Sequence, residues 1–266
     1  MGIVNVTPDS FYDGGKHFHL SRALAHAESM AEEGADILDI GGESSRPGAE
    51  PVPAGEELRR VLPVLRALRT KFPRIPISVD TRHSSVAQAA LEEGADIIND
   101  ISALTHDPKM IDVALRYKPK VVLMHMKGDP QTMQARARYG NVVAEINRFL
   151  ASRIAWMVGK GFPKKNIVAD PGIGFGKTLH HNLEILYNVE KFQSLGVPVL
   201  IGASRKSFIG ALLAKGGRPL PPAERMEGSL AVALWCAVRG VSILRVHDVG
   251  ASRNAIRVFR ALWTGA

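Results

Sequence analysis

Short β-branched runs alternate with longer amphipathic ones from one end of this sequence to the other, and that rhythm limits the fold more than any single residue does. The runs predict strands at residues 3–6, 37–40, 77–80, 97–100, 121–125, 167–170, 199–202 and 243–246. Helical periodicity fills the intervals at 22–33, 56–71, 85–93, 110–117, 142–159, 182–195, within 207–239, and at 251–263. An internal echo supports the reading: Glu-Glu-Gly-Ala-Asp-Ile occurs at 32–37 and again at 92–97, each time as a helix end, a glycine stop and a strand start. Eight βα units without a Pro/Gly/Ser-rich linker predict a single α/β domain over residues 1–266, a (β/α)8 barrel of the TIM type. A doubly wound open sheet is the alternative, and the sequence lacks its dinucleotide fingerprint.

With 45% hydrophobic residues in a chain of 266, such a barrel has ample core. The one cysteine, Cys236, lies in an apolar run, which excludes a disulfide scaffold and a cysteine metal cage and predicts a reducing cytoplasm. No apolar run reaches the length of a membrane span, and Met1 leads directly into a strand-like segment, so neither a membrane partner nor a targeting segment is expected. The net charge of +8 is spread over helical faces instead of basic blocks interleaved with aromatics, which argues against nucleic acid and for an anionic small substrate. Residues 231–238 and 255–263 are apolar enough to serve a homodimer as well as a core.

The stretch Ile-Val-Ala-Asp-Pro-Gly-Ile-Gly-Phe-Gly-Lys at 167–177 reads as a strand that delivers Asp170 to its C-terminal end, followed by a turn in which Gly172, Gly174 and Gly176 allow close approach of a ligand. It is no phosphate motif. A P-loop needs glycine where Pro171 stands, and the third glycine falls one residue early for G-x-G-x-x-G.

In a barrel the C-terminal strand ends converge on one face. Asn5, Asp39, Asp80, Asn99, His125 and Asp170 end or nearly end the first six strands, Ser204, Arg205 and Lys206 follow the seventh, and Arg245 with His247 follows the eighth. Each alone has a structural explanation: Asp80 as a helix cap, His125 as a satisfied core histidine, Lys206 as a counter-ion for Asp170. Together they leave buried carboxylates and amides that want a polar ligand, since an unpaired buried polar group costs about 1–3 kcal/mol. Acceptor-only carboxylates, two-way amides and a lysine donor match a flat heterocycle with a guanidine-like edge and a lactam carbonyl, the edge pattern of a pterin, and Arg245 can stack on its face. The loops at 5–15 and 41–49 add Ser44, Ser45 and Arg46, suited to phosphate, and Asn5, whose amide oxygen suits a hard cation; both loops can close as lids. Ser207, following a strand and opening a helix, offers either an anion site or a plain helix cap.

Carried by Asn-Val-Thr-Pro-Asp-Ser-Phe-Tyr-Asp-Gly-Gly from Asn5, Asp-Ile-Gly-Gly-Glu-Ser-Ser-Arg-Pro-Gly from Asp39, Ser-Val-Asp-Thr from Ser78, Asn-Asp-Ile from Asn99, Met-His-Met from Met124, the Asp170 stretch, Ala-Ser-Arg-Lys-Ser-Phe-Ile-Gly from Ala203 and Arg-Val-His-Asp from Arg245, the sequence resembles the dihydropteroate synthases, pterin-binding TIM barrels, over nearly its whole length. The resemblance implies condensation of 6-hydroxymethyl-7,8-dihydropterin diphosphate with 4-aminobenzoate, in folate biosynthesis, to 7,8-dihydropteroate and diphosphate with Mg2+ present, and sensitivity to sulfonamides. It implies a pterin site of Asp80, Asn99, Asp170, Lys206 and Arg245, and a diphosphate site of Asn5, Ser45, Arg46, Arg245 and His247, with Asn5 acting through the metal. An aminobenzoate site of Pro47, Phe175, Lys206 and Ser207 completes it, with Arg46, Lys206, Arg245 and His247 as the catalytic set. Departures from the family pattern are Ser45 for a usual threonine, Tyr12 for a usual serine, and Met1 within the first strand where relatives carry a short preceding segment, which leaves a truncated start or a differently closed barrel floor. The alternatives are a methyl-transferring pterin enzyme, which has no use for Ser45, Arg46 and the Ser-Arg-Lys-Ser helix start, and a non-catalytic pterin-binding paralogue, against which Asn5, Arg46 and Lys206 stand.

Overall fold

In the computed structural model, which describes residues 1–6, 16–46 and 48–265, strands and helices alternate from end to end. The expected lid at 7–15 and Pro47 lie outside the described residues. Strands β1 (Gly2–Asn5), β2 (Leu38–Gly41), β3 (Ile77–Asp80), β4 (Ile97–Asp100), β5 (Lys120–Met124) and β6 (Ile167–Asp170) form a parallel sheet in chain order, while β7 (Leu200–Ile201) pairs in parallel with β8 (Ile243–Leu244). Two seams close the ring. Ala169 N–H donates to Pro198 O at 2.9 Å beside an Ala169–Val199 bridge, and Ile3 N–H donates to Val246 O at 3.0 Å beside a Gly2–Val246 bridge. The fold is therefore the expected (β/α)8 barrel.

Around it lie α1 (Lys16–Glu32), α2 (Ala54–Lys71), α3 (Ser84–Glu92), α4 (Met110–Tyr117), α5 (Val142–Gly159), α6 (Leu179–Tyr187), α7 (Ser207–Leu212), α8 (Met226–Val238) and α9 (Val249–Thr264). The repeated Glu-Glu-Gly-Ala-Asp-Ile does the same work twice, with Gly34 at φ 91° and Gly94 at φ 93° turning a helix end into a strand. The helix expected at 182–195 divides instead. Asn188 turns its side-chain amide onto Glu184 O at 2.9 Å, α6 stops, and a 3-10 turn at Val189–Leu195 carries the chain onward.

Side-chain alternation along the strands sorts the barrel into layers. Leu38 and Ile40, Ile77 and Val79, Val121 and Leu123, and Ile167 and Ala169 face outward into the apolar layer beneath the helices. Inward, near the strand starts, Ile97, Val122, Val168 and Leu200 pack with Met1 into a floor. One pleat further up, the inward positions become Asn5, Asp39, Asp80, Asn99, Asp170 and Arg245. The barrel is thus an apolar plug below and a polar cup above.

Truncating the plug should loosen both. Leu200→Ala, at a position with no solvent exposure, is expected to destabilise the protein by about 2–5 kcal/mol, seen as a lower urea midpoint.

Candidate active site

Asp39 and Asp80 sit on neighbouring strands, and Arg245 reaches them both from the end of β8. Its Nε donates to Asp39 Oδ2 at 2.6 Å and its Nη2 to Asp80 Oδ2 at 2.9 Å. Asn99 Nδ2 gives Asp39 Oδ2 a second bond, at 3.2 Å. The strand-end carboxylates are therefore not the unpaired set that the sequence suggests: Arg245 compensates two of them internally. Burial still pushes the Asp80 carboxyl above its ordinary range, with Asp39 and Asp100 adding to the shift and Arg245 opposing it.

Asp170 stands apart from that cluster. Its Oδ1 accepts the Gly172 N–H at 2.7 Å, and burial raises its pKa to about 6 against that bond and the nearby Lys177, Lys206 and Arg245. The glycine-rich turn then folds back under the strand ends. Gly172 has a φ of +69°, and a Cβ there would lie 2.0 Å from His125 O, so only glycine permits this approach. The turn raises Phe175 beside the cup, where Lys206 Nζ lies 4.0 Å over its ring. Burial lowers Lys206 to about 8, Arg245 adding to the shift and Asp170 opposing it.

The resulting cleft, about 320 Å³ including its open mouth, is lined by Ser45, Asp80, Asn99, Asp170, Phe175, Lys206 and Arg245 with Ile101, Met124, Ile173 and Gly202. It is a slot with an apolar wall and an acceptor-rich base. The other expected residues stand around it: Asn5 on the β1 end, Arg46 exposed on the rim and Ser207 exposed at the head of α7. That helix spans only six residues, so its N-terminus makes a weaker anion site than a long helix would. His247 Nδ1 lies 3.0 Å from Ser204 Oγ, and burial, with Arg245 and Arg205 adding to it, lowers its pKa to about 4, so the imidazole is neutral at pH 7.

Strand parity explains which expected groups miss the cleft. His125 follows the inward Met124 and so turns outward, packing edge-on against Phe149 with ring centroids 5.0 Å apart. Asp100 turns outward too, accepting Ser102 N, Ser102 Oγ and Leu104 N. That acceptor set, with Arg153 donating to Ala103 O at 2.9 Å, holds Ala103 at φ 53° and Leu104 at φ 61°. Two consecutive non-glycine residues in the left-handed region are costly and need such over-determination. Arg205 is committed to Asp248 through bonds of 3.0 and 2.5 Å. Two residues gain importance that the sequence assigns to no subsite: Asp39, present there only as one of the polar strand ends, and Lys177, which spacing shows only as part of a failed phosphate motif.

The family profile described as pterin binding enzyme matches residues 1–247. The dihydropteroate synthase of Escherichia coli strain K12 is 46% identical over 261 residues, covering 98% of this chain and 90% of that protein. A solved Xanthomonas albilineans dihydropteroate synthase with 4-aminobenzoic acid is 48% identical, with a TM-score of 0.91 over 99% of this chain and 92% of that one. The same organism's enzyme in complex with 7,8-dihydropteroate is 45% identical, with a TM-score of 0.87 over the same shares, 99% and 92%. With sequence, fold and cleft in agreement, the chain belongs to the pterin binding enzyme family, among its dihydropteroate synthases.

Proposed function

We propose that the cleft binds 6-hydroxymethyl-7,8-dihydropterin diphosphate with its ring in the polar cup and its diphosphate at the rim, and that 4-aminobenzoate enters beside Phe175 to displace diphosphate. The observation that carries this reading is the division of the cup: Arg245 occupies itself with Asp39 and Asp80, while Asp170 and Asn99 present acceptor and amide groups to the slot. Ionised Asp170 accepts from the donor edge of the ring, Asn99 and Asp80 extend that edge, and Lys206 donates to a ring acceptor. Because Nε and Nη2 of Arg245 are already engaged, what it offers the ring is the face of its guanidinium.

At the rim, Ser45, Arg46 and neutral His247 supply donors to the diphosphate, and Ser207 flanks the aminobenzoate, a role that the family resemblance alone extends to Pro47. A Cβ placed on Gly41 would lie 3.9 Å from Asn5 Oδ1, so the missing side chain leaves that hard amide oxygen room beside it. That oxygen fits Mg2+ held by Asn5 and completed by diphosphate oxygens and water, as this ion is usually bound. The metal would supply charge neutralisation to the leaving diphosphate. An arylamine is neutral near pH 7 and needs no general base, so the protein's contribution is positioning and stabilisation of the departing anion by Arg46 and His247. The bond from the pterin methylene to diphosphate oxygen breaks, the bond to the amine nitrogen forms, and the amine proton leaves to solvent.

The whole chain is read as one such domain, working in the cytoplasm, in keeping with a buried free thiol at Cys236. Among the described residues no helix is long and apolar enough to cross a membrane. A homodimer is supported by the exposure of Val258 (62%), Leu262 (79%) and Trp263 (74%) on α9.

Diphosphate release should require both substrates. Arg46→Ala should cut kcat by about 10-fold or more while moving pterin affinity by less than about 2-fold, because its guanidinium meets charge that grows only as the leaving group departs; parallel losses would remove Arg46 from the rim. Asp170→Asn replaces an acceptor with a donor against the ring edge and should weaken pterin binding by about 1.5–3 kcal/mol, measured by calorimetry. Leu262→Glu should turn a dimer into a monomer in light scattering after gel filtration, and an unchanged mass would move the interface elsewhere.

A further inference from the structure

Lys177 is a buried ammonium for which the reaction has no direct use. It is 3% exposed, and each of its three donors has an acceptor: Phe175 O at 2.9 Å, His125 Nδ1 at 3.1 Å and His125 O at 3.3 Å. His125 is wedged on Phe149, and its burial lowers the imidazole pKa to about 3, so the ring is neutral; in the tautomer that carries its proton on Nε2, Nδ1 accepts from Lys177. The lysine therefore joins the end of β5 to the glycine turn after β6 along the line where a Cβ on Gly172 would lie 2.0 Å from His125 O and one on Gly176 would lie 2.6 Å from Lys127 O. Phe175 rises from that seam.

The two lysines near Asp170 thus have different tasks. Lys206 puts its ammonium over the Phe175 ring at the cleft wall. Lys177 spends its hydrogen bonds on the protein, and what reaches the cleft from it is charge.

We propose that Lys177 is a positioning residue for both subsites: it staples the glycine turn to strand β5 so that Phe175 and Asp170 hold their places, and its charge keeps Asp170 ionised for the ring. The proposal rests on the assignment of Asp170 to the pterin. The cations facing Asp170 are Lys177 on its own turn, Lys206 after β7 and Arg245 after β8, and together they oppose the burial that raises it to about 6. Burial draws Lys177 itself down to about 7 while Asp170 pulls it back, so each group supports the charge of the other.

The test is calorimetric titration of a pterin that carries no phosphate into wild type, Lys177→Met, Lys177→Arg and His125→Phe between pH 5 and 8.5, with steady-state kinetics for 4-aminobenzoate. In wild type, binding should weaken as pH falls through the range in which Asp80, raised to about 7, and then Asp170, raised to about 6, take up protons, and the Asp170 midpoint is the one that Lys177 should control. In Lys177→Met that midpoint should rise by about one unit, lowering affinity at pH 6.5 several-fold, and Lys177→Arg should return it toward the wild-type value. His125→Phe removes one of the three acceptors of Lys177, the imidazole Nδ1, without changing charge; it should raise KM for 4-aminobenzoate about fivefold with kcat little altered and the midpoint in place. Should Lys177→Met fail to fold, the arginine and phenylalanine variants decide the matter: a displaced midpoint in the former or an unchanged KM in the latter overturns the proposal. An unmoved midpoint in a folded Lys177→Met overturns the charge role. If Asp170→Asn binds the pterin as wild type does, the assignment of Asp170 fails, and the Phe175 staple is then judged by the KM of His125→Phe alone.

Discussion

Arg245 reaches across the barrel mouth to Asp39 and Asp80, and without it two carboxylates would be held side by side with little exposure to solvent. Removing one partner from a buried ion pair typically costs about 3–5 kcal/mol, most of it the uncompensated charge left behind. The pairing also has a mechanical side. Strand β8 is only Ile243–Leu244, and its seam with β1 is a single bridge, so the guanidinium ties the last strand to β2 and β3 where backbone pairing is thinnest. By engaging one oxygen of each of those two carboxylates it leaves Asp170 as the carboxylate the cleft can direct at a ligand with no arginine bonded to it.

Much of this was legible in the sequence because a barrel strand repeats every two residues. The strand ends that carry Asp80, Asn99 and Asp170 could be found from apolar runs alone, and parity then separates Asp39 and Asp170, which face the cup, from Asp100 and His125, which face the helices. Lys177 was hidden for a physical reason. Its place depends on a chain reversal through Gly172, Gly174 and Gly176, all at positive φ, and no linear spacing says which carbonyls such a turn will present. The helix expected at 182–195 failed on a single local competition, the Asn188 amide bonding back to Glu184 O. The polar strand ends also read as unpaired because the partner of two of them lies more than 150 residues further along the chain, at separations of 206 and 165.

The loop after β4 shows how strain is distributed around the cup. Asn99 and Ile101 line the cleft, and directly behind them Ala103 and Leu104 adopt left-handed conformations fixed by Asp100 and Arg153. The polar bonds that hold these conformations lie on the outer face of the barrel, so the floor of the slot is set by groups that no ligand meets. The same separation holds at β6, where Lys177 and His125 work behind Phe175.

The fit of the glycine turn against β5 also governs how the protein can change. At Gly172 the next-smallest side chain would overlap His125 O, and at Gly176 it would overlap Lys127 O, so no substitution at either position is neutral. The wall that meets the ring is thereby fixed by backbone packing, whereas Arg46 at the rim is exposed and closely packed by little. Variation that alters how small aromatic inhibitors are held can accumulate at the rim far more cheaply than at the wall, and a molecule anchored in the cup would meet the part of the surface with the fewest routes of escape.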